Sequence, residues 1–292
     1  VQIKYRGVTF GGDRDLVGIT EFTVPTTDLR SEYVERLNRD GILPSRDWLG
    51  AGAWQFNART SYQPRTLAEA FDAVAAIEQV WKAPTVRDST TTQPLDYSLD
   101  GGETWYRVYG RPGPYTGPNP DRMAIQGRVD VTAEFQQLDP AHYSAAEHSV
   151  VIPVVPASHG GIIAPLVAPI TTVASGEPRV GGIDNAGDLP SPARVVFHGP
   201  CTNPILTTDK GYKIGYVGSI AYDQTVTISA WDSTIIKTPP RASVAGDLDR
   251  RTRLSRLVVP SGHSEWYFEA TDATGTASAT VYWRDAYTAM QH

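Results

Sequence analysis

Residues with types and spacing suited to chemistry cluster in two places. The first is Ser98-Leu99-Asp100-Gly101-Gly102-Glu103-Thr104-Trp105, an S-x-D-x-G-x-T-W octapeptide that sets a carboxylate among hydroxyls and beside an indole. That grouping invites a glycosidase reading. The second is the run Ser261-Gly262-His263-Ser264-Glu265, which holds the hydroxyl, imidazole and carboxylate of a hydrolytic triad.

Local physics accounts for both without catalysis. In the octapeptide, Asp100 can accept bonds from turn amides, and Gly101 and Gly102 tolerate positive φ. Thr104 can bond the aspartate and Trp105 can cover the junction, so the stretch predicts a hairpin turn. It resembles the Asp-box of sialidases and other β-propellers, where the box recurs blade after blade away from the active site. Here it occurs once, and no fixed-period repeat supports a propeller. In the second run, neighbours on an extended strand point to opposite faces, so His263 and Ser264 are badly placed to bond each other. Triad members usually converge from separated segments, and there is no G-x-S-x-G elbow. Pro260-Ser261-Gly262 reads as a turn opening a strand.

Metal and cofactor chemistry finds no better footing. The histidines at 142, 148, 159, 198, 263 and 292 form no H-E-x-x-H, and His142 with His148 reads as a solvated pair. No G-x-G-x-x-G or P-loop occurs. Gly11-Gly12-Asp13-Arg14-Asp15 lacks the ligand number and spacing of a calcium loop. The single cysteine, Cys201, excludes an intramolecular disulfide and reads as a structural thiol in a turn-like stretch. The basic run over 248–256, LDRRTRLSR, reads as a solvated or subunit-facing edge rather than a phosphate site. No catalytic, cofactor-binding or metal residue is predicted, and no enzyme.

The elements that carry these residues are mainly strands. Residues 1–24 give two strands around Gly11-Gly12. Residues 25–52 are polar and irregular, with a short helix expected in DLRSEYVERLNRD, residues 28–40. GAWQFNARTSY is a further strand. One amphipathic helix stands out, TLAEAFDAVAAIEQVWKAP, with Leu67, Phe71, Val74, Ile77 and Trp81 on one face. Thr66 and Glu69 suit a capping box, and Pro84 marks the stop. After the octapeptide come a proline-rich loop at 111–120 and a strand whose Val129, Val131 and Ala133 face one way. Residues 150–180 read as a connector. From about 181 seven short strands predict a sandwich or jelly roll.

Length and composition bound the class. The 292 residues suffice for two domains with their own cores. A hydrophobic content of 40% with 20% charged residues is that of a folded chain. A formal charge of −6 argues against a nucleic-acid-binding surface. The most apolar stretch, VVIPVVPASHGGIIAPLVAPI, is broken by four prolines and two glycines, whereas a spanning helix needs about 20 mostly apolar residues in a row. Membrane insertion is not expected. No basic N-terminus followed by an apolar core suggests export.

The order of short motifs in the second half resembles the distal tail proteins of long-tailed, non-contractile bacteriophages, also described as baseplate hub ring proteins. GDLPSPARVVFHGPCTNPIL is similar to that family's entry strand, with Asn203-Pro204-Ile205-Leu206 as its N-P-x-I-like segment. GYKIGYVGSIAYDQTVTISAWDSTI, LSRLVVPSGHSEWYFEATD and ATVYWRDAY resemble its later strands. Pro260-Ser261-Gly262 departs from the usual Pro-Gly turn by one residue, and Trp231-Asp232 departs in register.

The resemblance implies a mainly β fold in three parts. Residues 1–150 would form a tail-tube-like split β-barrel, the belt domain, with one amphipathic helix; 151–180 would connect it to a galectin-like β-sandwich or jelly roll at 181–292. It further implies a structural virion protein, assembled in the host cytoplasm and located at the distal end of the phage tail. Its copies would form a homohexameric ring joining the tail tube protein to the tail-tip hub or tail-associated protein, with accessory fibre or receptor-binding proteins as further partners. Genomic DNA would pass through the lumen without specific binding, helped by the chain's acidic balance. Residues 25–52 sit where tube-like proteins carry a long loop that packs on the neighbouring subunit. The competing reading is a carbohydrate-binding module for host attachment, with Trp231, Trp266, Tyr282 and Trp283 as stacking surfaces. Against it, FHGPCTNP keeps a histidine and an asparagine but lacks the arginine of a galactose signature.

Overall fold

Alternation along Trp54, Phe56 and Ala58 sends every second side chain to one side of an extended chain. Matching alternation in Val131, Ala133 and Phe135 supplies a partner. In the computed structural model these two segments pair antiparallel, Phe135 opposite Trp54 and Ala133 opposite Phe56, with all six side chains buried. The structure describes residues 1–12, 17–25, 29–50, 52–60, 67–87, 91–119, 129–154, 180–272 and 274–291. The chain divides into two units, Val1–Ala146 with Tyr287–His292, and Glu147–Ala286.

The first unit opens with β1 (Gln2–Tyr5), β2 (Val8–Phe10) and β3 (Val17–Thr23). Four short strands follow, β4 (Leu29–Arg30), β5 (Tyr33–Glu35), β6 (Ile42–Pro44) and β7 (Trp48–Leu49), and then β8 (Gly52–Thr60). Beyond α1 (Leu67–Trp81) and α2 (Pro84–Arg87) come β9 (Gln93–Ser98), β10 (Tyr106–Thr116), β11 (Asp130–Gln137) and β12 (His142–Ser144). The main sheet runs β2-β1-β9-β10-β11-β8-β3. It curls until its two edges meet at one backbone hydrogen bond, from Gly11 N–H to the Val17 carbonyl at 2.8 Å. Among the described residues no ladder closes the sheet into a barrel.

Helix α1 covers the apolar face of this curl. Trp81 meets Tyr5 at 5.0 Å and Phe56 at 5.3 Å, both edge to face, so side chains from β1, β8 and α1 share one core. Val74, Ile77 and Trp81 are buried as their spacing predicts, but Phe71 is 40% exposed. The buried stripe turns instead toward Ala70 and Ala73, whose small side chains pack on the core. Helix α1 ends at Trp81, and Pro84 opens the short α2 at a position where its missing N–H costs nothing. Thr66, half of the expected capping box, lies outside the described residues.

Two expectations for this unit are corrected. Residues 28–40 hold no helix in their described part: β5 pairs with β6 and β4 with β7, forming a two-step hairpin arm from 29 to 49. Asn38 and Gly41 reverse it with positive φ of 71° and 101°, a turn chemistry that outweighs local helix propensity. Residues 111–116 are strand rather than loop, because β10 carries Pro112 and Pro114 through a register shift between Pro112 and Tyr115. A bulge leaves a residue without a ladder bond, so the missing proline N–H is tolerated there.

The second unit begins with β13 (His148–Pro153), β14 (Gly181–Asn185), β15 (Ser191–Pro192), β16 (Arg194–His198) and β17 (Cys201–Thr208). It continues through β18 (Lys213–Gly215), β19 (Ser219–Ile220), β20 (Thr225–Ser229), β21 (Thr234–Thr238) and β22 (Ala242–Ser243). Last come β23 (Val258–Val259), β24 (Gly262–Thr271) and β25 (Ser278–Trp283), and β26 (Ala286–Tyr287) straddles the division between the units. One antiparallel sheet runs β13-β25-β16-β20-β21-β22 and another β14-β24-β17-β18, with β19 added to β17. Phe197 of the first sheet stacks on Phe268 of the second at 5.6 Å, the face-to-face packing of a sandwich.

The division between the units falls after Ala146 and again after Ala286. His148–Pro153 is an edge strand of the second unit, paired with β25 from His148 opposite Trp283 to Pro153 opposite Ser278. At the other end, Tyr287–His292 belongs to the first unit, where Tyr287 packs edge-on against Tyr106 at 5.9 Å. Most of the expected connector, 155–179, lies outside the described residues.

Candidate functional site

Each group of residues suited to chemistry is held by its own neighbours. Ser98 donates to Asp100 Oδ1 at 2.6 Å, and the backbone N–H groups of Glu103 and Thr104 donate to the same carboxylate at 3.1 and 2.8 Å. Gly102 N–H donates to Ser98 Oγ at 2.9 Å, and the Trp105 indole returns a bond to the Gly102 carbonyl at 3.0 Å. Gly101 and Gly102 carry φ of 83° and 98°. The Ser98 hydroxyl and the turn amides hold Asp100 far below the usual carboxylate range. A carboxylate so stabilised as its anion is a poor proton donor or base near neutral pH. The octapeptide is the turn joining β9 to β10.

The triad ingredients separate in the same way. His263 Nδ1 lies 2.7 Å from Asp184 Oδ1, a cross-strand pair on the solvent side that raises the imidazole pKa. Ser264 faces inward, accepting from the Trp266 indole at 3.2 Å, while Ser261 donates to the Gly187 carbonyl. Glu265 accepts from Tyr267 at 2.9 Å. A histidine–aspartate pair exists, but neither serine hydroxyl is directed to it.

His142 and His148 are not a solvated pair. His142 is buried between Trp54 and Tyr97, each ring centre 5.8 Å away, and burial pushes its pKa down to about 4. His148 lies over Trp283 at 5.6 Å and meets Asp285 at 3.2 Å. Cys201 opens the eight-residue β17 rather than sitting in a turn, and burial raises its thiol to about 11. Asn203, at φ 50°, bonds the backbone of Gly218 through both its side-chain oxygen and its own N–H. Among the described residues no group of three or more His, Cys, Asp or Glu side chains could hold a metal ion. Asp13, Arg14 and Asp15 lie outside them.

Of the aromatic residues considered for sugar stacking, Trp231 is half-buried. Trp266 and Trp283 are core, and the Arg194 guanidinium lies over the Tyr282 ring at 4.0 Å. The basic run at 248–256 lines a cavity on the second unit.

The feature most unlike an ordinary surface is the arm over 29–49. Leu29, Tyr33, Val34, Ile42, Leu43 and Trp48 all stand between 48% and 60% exposed, and Leu37 at the tip reaches 92%. Both ladders of the arm are antiparallel, Tyr33 opposite Pro44 and Leu29 opposite Leu49, so its backbone is ordered while its apolar side chains stay largely exposed, the Trp48 ring carrying the Arg46 guanidinium at 4.4 Å. Clustered exposed apolar groups of this kind mark a surface that associates. Recognising it needed the pairing register, since 28–40 taken alone has the residue spacing of a short helix.

No family model matches the sequence, and no curated protein does. Solved structures do match. The SPP1 Dit protein, described as a paradigm of the hub adsorption apparatus in phages infecting Gram-positive bacteria, aligns with a TM-score of 0.60 at 12% identity, covering 98% of each chain. A chain of the phage P2 baseplate in its activated conformation with Ca aligns with a TM-score of 0.56 at 11% identity, covering 96% of this chain and 97% of its own. Such identity speaks to fold, and this chain has the fold of the phage hub proteins represented by SPP1 Dit.

Proposed function

We propose that the protein is a structural component of the virion of a long-tailed, non-contractile phage, located at the distal end of the tail. The observation that carries this reading is the end-to-end fold match, which covers 98% of the SPP1 hub protein and 98% of this chain, both of its units included. In this reading the first unit is the tail-tube-like belt domain and the second is the galectin-like domain. Six copies form a ring that joins the tail tube protein to the tail-tip hub and leaves a lumen through which genomic DNA passes without specific binding. The exposed arm is the part that seats on the neighbouring copy. Cyclic closure repeats one heterologous contact around the ring, and an ordered apolar hairpin suits such a contact.

The test is the mass and shape of the purified chain, alone and mixed with its tail tube protein, by light scattering and negative-stain imaging. A ring of six is expected. Deleting residues 29–49 is expected to abolish closure while circular dichroism keeps the β signal. A monomer that ignores the tube protein would overturn the reading.

A further inference from the structure

On the second unit, independently of any ring, five cations surround one cavity of about 470 Å³: Lys213, Arg250, Arg251, Arg253 and Arg256, with Tyr212 beside them. This concentration of positive charge stands out in a chain of net charge −6. Arg251 is answered by Asp249, which accepts from its guanidinium at 3.1 and 2.8 Å. Arg250 and Arg253 are exposed and make no ion pair among the described residues.

The cations are held by an ordered backbone. Asp249 N–H donates to the Gly215 carbonyl of β18, and Gly215 N–H donates to Thr252 Oγ1, both at 2.9 Å. Thr252 and Leu257 are buried, so the run is pinned from inside while Arg250, Arg251, Arg253 and Arg256 are directed to solvent. Arg256 is fixed further by lying over the Tyr212 ring at 4.9 Å. A pocket prepared in this way loses little backbone entropy on binding. Guanidinium groups bind phosphate and carboxylate oxygens in pairs of parallel bonds, which a solvated lysine edge does not.

Tyr212 is also a wall of a second cavity of about 380 Å³, lined by Pro190, Thr208, Asp209, Lys210, Val258, Pro260 and Ser261. Its hydroxyls, apolar carbons and Lys210 suit a polyol or sugar unit, and the Asp209 carboxylate disfavours a second anion there. A duplex nucleic acid is too broad to enter either cavity, and a single strand would look for several stacking aromatics where Tyr212 stands alone.

We propose that these two cavities form a binding site for an anionic glycan, a sugar or polyol polymer carrying phosphate or carboxylate groups, with the anion in the arginine cavity and the neutral unit beyond Tyr212.

Calorimetric titration of the full chain tests this with a polyol phosphate polymer, polygalacturonate, inorganic polyphosphate, neutral dextran, oligo(dT) and poly-glutamate. Either of the first two is expected to bind and dextran is not; the tighter of the two identifies the anionic group. R250Q/R253Q, changes at exposed positions, should weaken binding about tenfold and lower the log–log salt slope by about one. Tyr212→Ala should weaken the glycans and leave polyphosphate unchanged. Equal affinities for wild type and R250Q/R253Q, with unchanged melting temperatures, would overturn the site. So would tighter binding of oligo(dT) or poly-glutamate than of either charged glycan.

Discussion

The Tyr97 hydroxyl lies 3.0 Å from Nδ1 of His142, and the backbone N–H of Gln291 donates to the same hydroxyl oxygen at 3.3 Å. With that oxygen accepting from the backbone, the arrangement that also uses the buried phenol proton has it donated to the imidazole. Nδ1 is then the acceptor, and the ring proton of neutral His142 is on Nε2.

Burial lowers the His142 pKa to about 4, so the unfolded chain, near 6.5, takes up the proton first. The neutral ring therefore contributes stability that is fully present above about pH 6.5 and is lost as pH falls toward 4, on the order of 3 kcal/mol in all. Urea unfolding of wild type and His142→Gln across pH 4 to 7.5 checks this. The variant should show the shallower fall through that window; parallel curves would contradict it.

Trp54 offers a second buried polar contact, its indole N–H donating to Gln137 Oε1 at 2.7 Å. Trp54→Phe keeps much of the aromatic area but leaves that oxygen without its donor. The cost of an unsatisfied buried acceptor is about 1–3 kcal/mol, added to the smaller ring's lost packing. Denaturant midpoints at constant slope would measure it, and a loss under 1 kcal/mol would show that the amide finds another partner.

Asp100 makes a prediction about catalysis and stability together. Its folded pKa is depressed, so its contribution is present above the ordinary carboxylate pKa and fades as pH falls below it. Asp100→Ala should lower the melting temperature at neutral pH and much less in strong acid. Glycan turnover by the wild type that disappears in this variant would mean the octapeptide is more than a turn.

Features written in local spacing were legible before any coordinates. Val129, Val131 and Ala133 share a buried face, and α1 ends within three residues of Pro84. What escaped depended on partners distant in the chain. His142 gives no local sign of burial, since Trp54 and Tyr97 are supplied by β8 and β9. The arm reads as a helix until Asn38 and Gly41 are seen at positive φ. Cys201 follows Gly199-Pro200 and so reads as a turn, yet β17 begins there because β19 pairs with it at Cys201–Ile220. The cationic cavity needed Lys213 of β18 to be brought to Arg250–Arg256 by the Gly215–Thr252 contact.

Residue Ile152 tests whether His148–Pro153 completes the core of the second unit. It is fully buried in the second core although it precedes Gly181 by a long segment, and a Cβ on Gly181 would run into its side chain. If 151–153 were unpacked connector, Ile152→Ala would change stability by less than about 0.5 kcal/mol, as surface substitutions do. As an inward residue of an edge strand paired along β25, it should cost about 2–5 kcal/mol, with Ile152→Val at about 0.5–1.5. Gly181→Ala should also destabilise, because the two side chains would compete for one space. The same strand offers the control: Val151, 61% exposed, should tolerate Val151→Ala with little change. Equal costs at 151 and 152 would mean that this strand does not complete the sandwich, and that the second core begins only at β14.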